Sequence, residues 1–184
     1  ARDGGAENGA AGIRAGSSES TDIGIGRRTP EFRDKGSMER AHEGLKDWPR
    51  DVFNHNRETG PHRGRGVGPG ADYQWSLDLL KRFKAQHPEV PTKSGIMLGL
   101  GETHDQVIET MRDLRAHDVD MITIGQYLQP TAHHHPVVRY WTPDEFEALR
   151  VAGEEMGFSH VASGPLVRSS YHADLMAHAA GVVE

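Results

Sequence analysis

Five stretches of this sequence hold polar side chains at spacings that suit chemistry. Asn54-His55-Asn56, with Glu58 two residues on, offers amide donors and acceptors together with a carboxylate. Such a set can bracket a ribose or a carboxylate, because each amide both donates and accepts. The same spacing also suits a turn whose Asn side chains bond their own backbone. Gly99, Gly101 and Glu102 form a Gly-rich turn directly after an apolar run; glycine there lets the backbone approach a bound group. Gln126, Tyr127 and Gln129 follow a second apolar run, either as ligand contacts or as a polar rim. His133-His134-His135 is a poor metal set, because three adjacent side chains cannot all face one ion and no helical partner lies four residues away. Arg168-Ser169-Ser170-Tyr171-His172 places a hydroxyl near an imidazole but lacks the G-x-S-x-G elbow of an acyl-transfer nucleophile. Ser170 could give its oxygen to a metal centre. On chemistry alone, though, Ser169 or Ser170 reads best as the N-cap of a last helix.

The elements that position these groups are legible from residue 73 onward. Tyr73 to Gln86 carries Trp75, Leu77, Leu79, Leu80 and Phe83 as an amphipathic helix, punctuated by Pro88 and Pro91. Ile96-Met97-Leu98 has no polar alternation, as in a strand buried on both faces. Thr103-x-x-Gln106 opens the next helix as a capping box, and Val107, Ile108, Met111 and Leu114 form its apolar stripe. Met121 to Ile124 predicts a second buried strand. Thr142-Pro143-Asp144-Glu145 combines an N-cap, proline in the first turn and two acids, and its helix runs to about Met156. Ser159 to Ala162 predicts a weak last strand.

Before residue 73 the pattern is thinner. Asp51-Val52-Phe53 predicts a brief strand and Ser37 to Lys46 a short helix, while Thr21 to Arg28 makes a poor buried strand because of its glycines and paired arginines. Residues 57–70 read as loop. The repeated helix–strand order with short connections predicts an α/β fold of parallel βα units, with too few strands for a closed eight-stranded barrel. The division expected is 1–50 as a divergent first part, 51–162 as the barrel units and 163–184 as a terminal segment and helix.

Composition narrows the function. A net charge of −6 gives no basic footprint for nucleic acid. No apolar run approaches the roughly 18 residues of a membrane span, and the first residues lack a signal-peptide layout. The expectation is a cytoplasmic protein with neither a nucleic-acid nor a membrane partner. The sequence holds no cysteine, so it offers no thiolate to zinc or to an iron–sulfur cluster.

Taken together, VFNHNxET, GADYxWSLDLLKRFK, PTKSGIMLGLGET, MRDLRAH, TIGQYLQP, the HH-x-PV loop, EFEAL through MGF, and SGPLVRSSYHADL resemble lipoyl synthases in order and spacing. The likeness is close from about Asp51 to Met176, with weaker echoes at DGGAE and TPEFRD. It implies the C-terminal part of a partial (β/α)6 TIM-type barrel of the radical S-adenosylmethionine kind. The implied activity is insertion of two sulfur atoms into an octanoyl chain carried on a lysine of a lipoyl carrier protein. The carriers implied are the glycine cleavage H protein and the lipoyl domains of 2-oxoacid dehydrogenases. S-adenosylmethionine and two [4Fe–4S] clusters are the implied cofactors.

By the same resemblance Asn54, Asn56, Glu58, Gly99, Gly101, Glu102 and Gln126 would face S-adenosylmethionine. Tyr127, His134 and Arg168 would face substrate, and Ser170 would be an oxygen ligand of the auxiliary cluster; no residue is assigned a catalytic role. That assignment for Ser170 displaces the helix-cap reading. The sequence departs from the family in lacking both cysteine triplets and in carrying Gly or Arg at 24–28 and 57–68 in place of apolar residues. The expectation is therefore a truncated or decayed lipoyl synthase, inactive by itself. The alternatives are a cluster-free remnant that binds only S-adenosylmethionine or a carrier protein, and an unrelated partial-barrel enzyme on phosphorylated sugars, for which Gly164 alone is thin support.

Overall fold

A computed structural model describes residues 27–28, 52–56 and 73–168. Eight elements follow in chain order: β1 (Arg27–Arg28), β2 (Phe53–Asn54), α1 (Tyr73–Gln86), β3 (Thr92–Leu98), α2 (His104–Ala116), β4 (Met121–Gln126), α3 (Pro143–Glu155) and β5 (His160–Gly164). The strands form one sheet in the order β1-β2-β3-β4-β5, and every neighbouring pair is parallel. Sequential parallel order with right-handed crossovers carries successive helices to one face of a sheet. A doubly wound sheet would reverse its strand order, and none of these pairs does.

Side-chain alternation divides the sheet into two unlike faces. Phe53, Ile96, Leu98, Ile122, Ile124 and Val161 share a core with Leu77, Leu80 and Phe83 of α1, Met111 and Leu114 of α2, and Phe146 and Leu149 of α3. Phe53 stacks on Phe83 with ring centroids 3.8 Å apart, which ties the short β2 to α1. The opposite face carries Asn54, then Lys93, Gly95 and Met97, then Thr123 and Gly125, then His160, Ala162 and Gly164. Among the described residues, a small second apolar contact, Val52 with Met121, lies there. The helix-covered face is largely apolar; the opposite, inner face is mostly small and polar, with Met97 and Met121 as its large apolar members among the described residues.

The strands run longer than their apolar letters suggest. β3 takes in Thr92, Lys93, Ser94 and Gly95, and β4 continues through Gly125 and Gln126. Backbone pairing on both sides holds those residues extended, so side-chain hydropathy undercounts the strand. Arg27 and Arg28 do pair with β2, although their composition argues against a buried strand. Among the described strands, β1 lies beside β2 at one end of the order. Both capping boxes are formed: Thr103 with Gln106 opens α2, and Thr142 with Glu145 opens α3 behind Pro143.

Candidate functional site

At the carboxyl end of the sheet, β3 ends in the turn Gly99 to Glu102. Gly99 and Gly101 adopt φ of 106° and 102°, a region that suits glycine and strains other residues. The Glu102 carboxylate folds back into its own turn. The amides of Gly99 and Leu100 donate to Oε1 at 2.6 Å and Oε2 at 2.9 Å. A third donor arrives from far along the chain, the indole Nε1 of Trp141, at 2.8 Å from Oε1. Glu102 thus organises the backbone where a ligand was expected to touch it.

Gln126, at the end of β4, is buried and is bonded at both ends of its amide. Its Nε2 donates to the Arg139 carbonyl at 3.3 Å and to the Tyr127 carbonyl at 3.0 Å, and its Oε1 accepts the Trp141 amide at 3.0 Å. Tyr127 is buried too, and its hydroxyl donates to the His135 carbonyl at 2.9 Å. With the Val138 amide donating to Gly99 O at 2.8 Å, these bonds lay residues 135–141 along the sheet edge. Arg139 then covers Trp141, its guanidinium carbon 3.9 Å from the ring centroid, and pairs with Glu145 of α3 at 2.9 Å. The pair, with the amide and hydroxyl of Thr142, holds the Glu145 carboxyl below the usual carboxylate range, the backbone bond being the largest cause.

The histidine loop joins this framework through main-chain carbonyls, Tyr127 donating to that of His135 and Gln129 Nε2 to that of His134 at 2.9 Å. His133 and His134 are exposed; His134 Nδ1 lies 2.8 Å from Thr131 Oγ1, and His135 Nδ1 lies 2.8 Å from Pro136 O. Among the described residues, no three His, Cys, Asp or Glu side chains gather where they could hold a metal ion. Arg168, just past β5, is exposed and donates from one terminal nitrogen to Gln126 O at 3.3 Å and Val167 O at 3.0 Å.

Two groups on the inner face carry functional interest: Asn56, which the sequence singled out, and Lys93, which its patterning missed. Asn56 Oδ1 is buried with no hydrogen-bond partner among the described residues, and it lies 3.1 Å from where a Gly95 Cβ would sit. Lys93 is only 3% exposed, and burial pushes its amine down to about 8. His160 stands in the same register row, two strands over. Burial lowers its pKa first, and the positive charge of Lys93 lowers it further. The start of a strand gives no hydropathy sign that a lysine points inward, so only register with β4 and β5 reveals the row.

Of the expected site residues, the structure brings Gly99, Gly101, Glu102, Gln126, Tyr127 and Arg168 to one sheet edge. Asn54 and Asn56 lie at the end of the adjoining strand β2, and His134 stands away in the exposed loop. Glu58 and Ser170 lie outside the described residues, as do the short helix expected at 37–46 and the terminal helix.

No family model matches the sequence. Curated proteins do resemble it. The chain is 68% identical over 181 residues to a lipoyl synthase of Stenotrophomonas maltophilia (strain R551-3), covering 98% of this chain and 54% of that protein. It is 66% identical over the same length to lipoyl synthases of Xylella fastidiosa (strain 9a5c) and Xanthomonas axonopodis pv. citri (strain 306), covering 48% and 54% of those proteins. The likeness to lipoyl synthases therefore runs through nearly the whole chain, including most of the first 50 residues, where motifs alone gave weaker echoes. The chain spans about half the length of the curated relatives it matches.

Proposed function

We propose that this chain is part of a lipoyl synthase that inserts two sulfur atoms into protein-bound octanoyl-lysine, and that its sheet is an arc of a partial (β/α)6 barrel. The identity of 66–68% along 98% of the chain carries the reading. The all-parallel sequential sheet, with a largely apolar helix-covered face and a mostly small and polar inner face, is compatible with it.

The residues fit the two kinds of cofactor differently. An iron–sulfur cluster needs thiolates, and none of the 184 residues is cysteine. These residues do not fit a cluster on their own. By the resemblance the thiolates come from sequence outside this stretch, and Ser170 adds an oxygen ligand. S-adenosylmethionine fits better: the side-chain Oδ1 of Asn56 is a buried acceptor still open among the described residues, close to Gly95 and Thr123 on the inner face. Bound there, S-adenosylmethionine would supply the oxidising equivalents for breaking the octanoyl C–H bonds. The protein groups around it would bind and orient. Asn54, Asn56, Glu58, Gly99 and Gly101 would receive the cofactor, with Glu102 and Gln126 holding the turn and loop around it. Tyr127, His134 and Arg168 would meet the octanoylated carrier, an H protein or a lipoyl domain.

The test uses the full-length protein with an octanoylated carrier domain, S-adenosylmethionine and a reductant. A mass gain of two sulfur atoms on the octanoyl-lysine is the expected result, and Ser170→Ala should abolish that gain and alter the iron content. No sulfur gain by well-loaded wild-type protein would overturn the reading. The 184-residue stretch alone is expected to be inactive, and a pull-down with the carrier domain separates the alternative, a remnant that only binds.

A further inference from the structure

Gly125 of β4 pairs with Gly164 of β5 at the carboxyl end of the sheet. Just beyond Gly164 the chain turns back, the Val167 amide donating to Gly164 O at 3.1 Å. The returning segment crosses directly over Gly125: a Cβ at that position would stand 2.2 Å from the Val167 carbonyl oxygen, 3.2 Å from its carbon and 3.7 Å from an Arg168 terminal nitrogen. The first neighbour is backbone and cannot swing aside, so any side chain at 125 must displace the segment itself. That segment sets where the Arg168 guanidinium sits. One terminal nitrogen is fixed by Gln126 O and Val167 O, and no carboxylate pairs with Arg168 among the described residues. Its remaining N–H groups stay available to an anionic group at the sheet edge, and a guanidinium fork suits a carboxylate.

We propose that Gly125 is a positioning residue: its missing side chain lets the Val167 carbonyl lie against β4 and thereby aims Arg168 at a carboxylate of the substrate or of S-adenosylmethionine. The claim rests on the lipoyl synthase reading for its chemistry, but its geometry stands independently of that reading. Displacement of a binding group by about 1 Å can cost on the order of a hundredfold in rate. Gly153 supplies the control. A Cβ there would meet the ends of Val161 and Met111 side chains at 2.9 and 3.1 Å, which can yield, and it lies in the core away from the site.

The experiment is a double-mutant cycle in the full-length protein with Gly125→Ala, Arg168→Ala and both together, plus Gly153→Ala. S-adenosylmethionine and the octanoylated carrier are titrated separately. Arg168→Ala should weaken one of the two by tenfold or more, on the scale of losing a charge-assisted pair, which identifies the source of the carboxylate. Gly125→Ala should weaken the same one, the double variant should be no worse than Arg168→Ala, and Gly153→Ala should leave both unchanged. Independent, multiplying losses in the double variant, or wild-type binding by Gly125→Ala, would overturn the proposal. Amide exchange reads the geometry separately: protection of the Val167 amide should fall in Gly125→Ala and persist in Gly153→Ala. If wild-type protein inserts no sulfur, the functional reading fails, and the exchange result alone then decides whether Gly125 positions the segment.

Discussion

Trp141 is tied to Glu102 across 39 positions of chain: its indole Nε1 donates to the Glu102 carboxylate at 2.8 Å. One carboxylate thereby fixes both the turn after β3 and the start of the segment that enters α3. Glu102→Gln replaces an all-acceptor group with one that presents N–H to the donors of Gly99, Leu100 and Trp141. The expected cost is about 2 kcal/mol, since bonds to a charged group exceed neutral ones. Urea unfolding followed by tryptophan fluorescence measures it, and an unchanged midpoint would show that the turn holds itself.

Gln126→Leu keeps the volume near Trp141 but removes both ends of the amide. The Trp141 N–H loses the acceptor it now has, and the Arg139 carbonyl loses a donor. Loss of buried partners costs about 1–3 kcal/mol each, so with two groups orphaned stability should fall by roughly 2–6 kcal/mol. Amide exchange at Trp141 should accelerate, while exchange within α2 should change far less.

Asp120 closes the opposite end of the sheet. Its Oδ2 accepts from Lys84 Nζ at 2.9 Å, from the Thr92 amide at 2.8 Å and from Thr92 Oγ1 at 3.1 Å. Asp120→Ala should destabilise by about 2–3 kcal/mol, with Asn recovering part. Arg150→Ala, which breaks pairs with Glu147 and Glu154 on the exposed side of α3, should leave the thermal midpoint unchanged within error. Equal effects at the two sites would contradict the weight given to burial.

Lys93 gives a pH signature with a definite sign. Its amine titrates at about 8 in the folded chain against an ordinary value of 10.5. Between those values the unfolded chain binds more protons than the folded chain, so stability must rise with pH through that window. Below pH 8 the burial penalty is present in full, and above 10.5 it is gone. Relative to Lys93→Met, the wild type should gain roughly 3 kcal/mol across the window. Chemical unfolding of both proteins from pH 7.5 to 10.5 checks it, and a gap that stays constant would mean that Lys93 remains protonated.

The sequence by itself determined the local elements and the family likeness. Capping residues at Thr103 and Thr142, proline at 143 and the apolar stripes of α1 to α3 act within a few residues, so their pattern carries their structure. The motifs carried the likeness to lipoyl synthases for the same reason, being short and contiguous. Tertiary structure decided what the polar letters do. Glu102 and Gln126 look alike as strand-end ligands in the sequence, yet both are bonded to main chain and to Trp141. That partner comes from a loop 15 to 39 positions away, whose register no local pattern encodes. Lys93 likewise faces inward only because β3 starts at Thr92, and Gly125 matters only because Val167 returns over it. Such contacts depend on which strands become neighbours, and pairing between distant strands is set by the packing of the whole sheet.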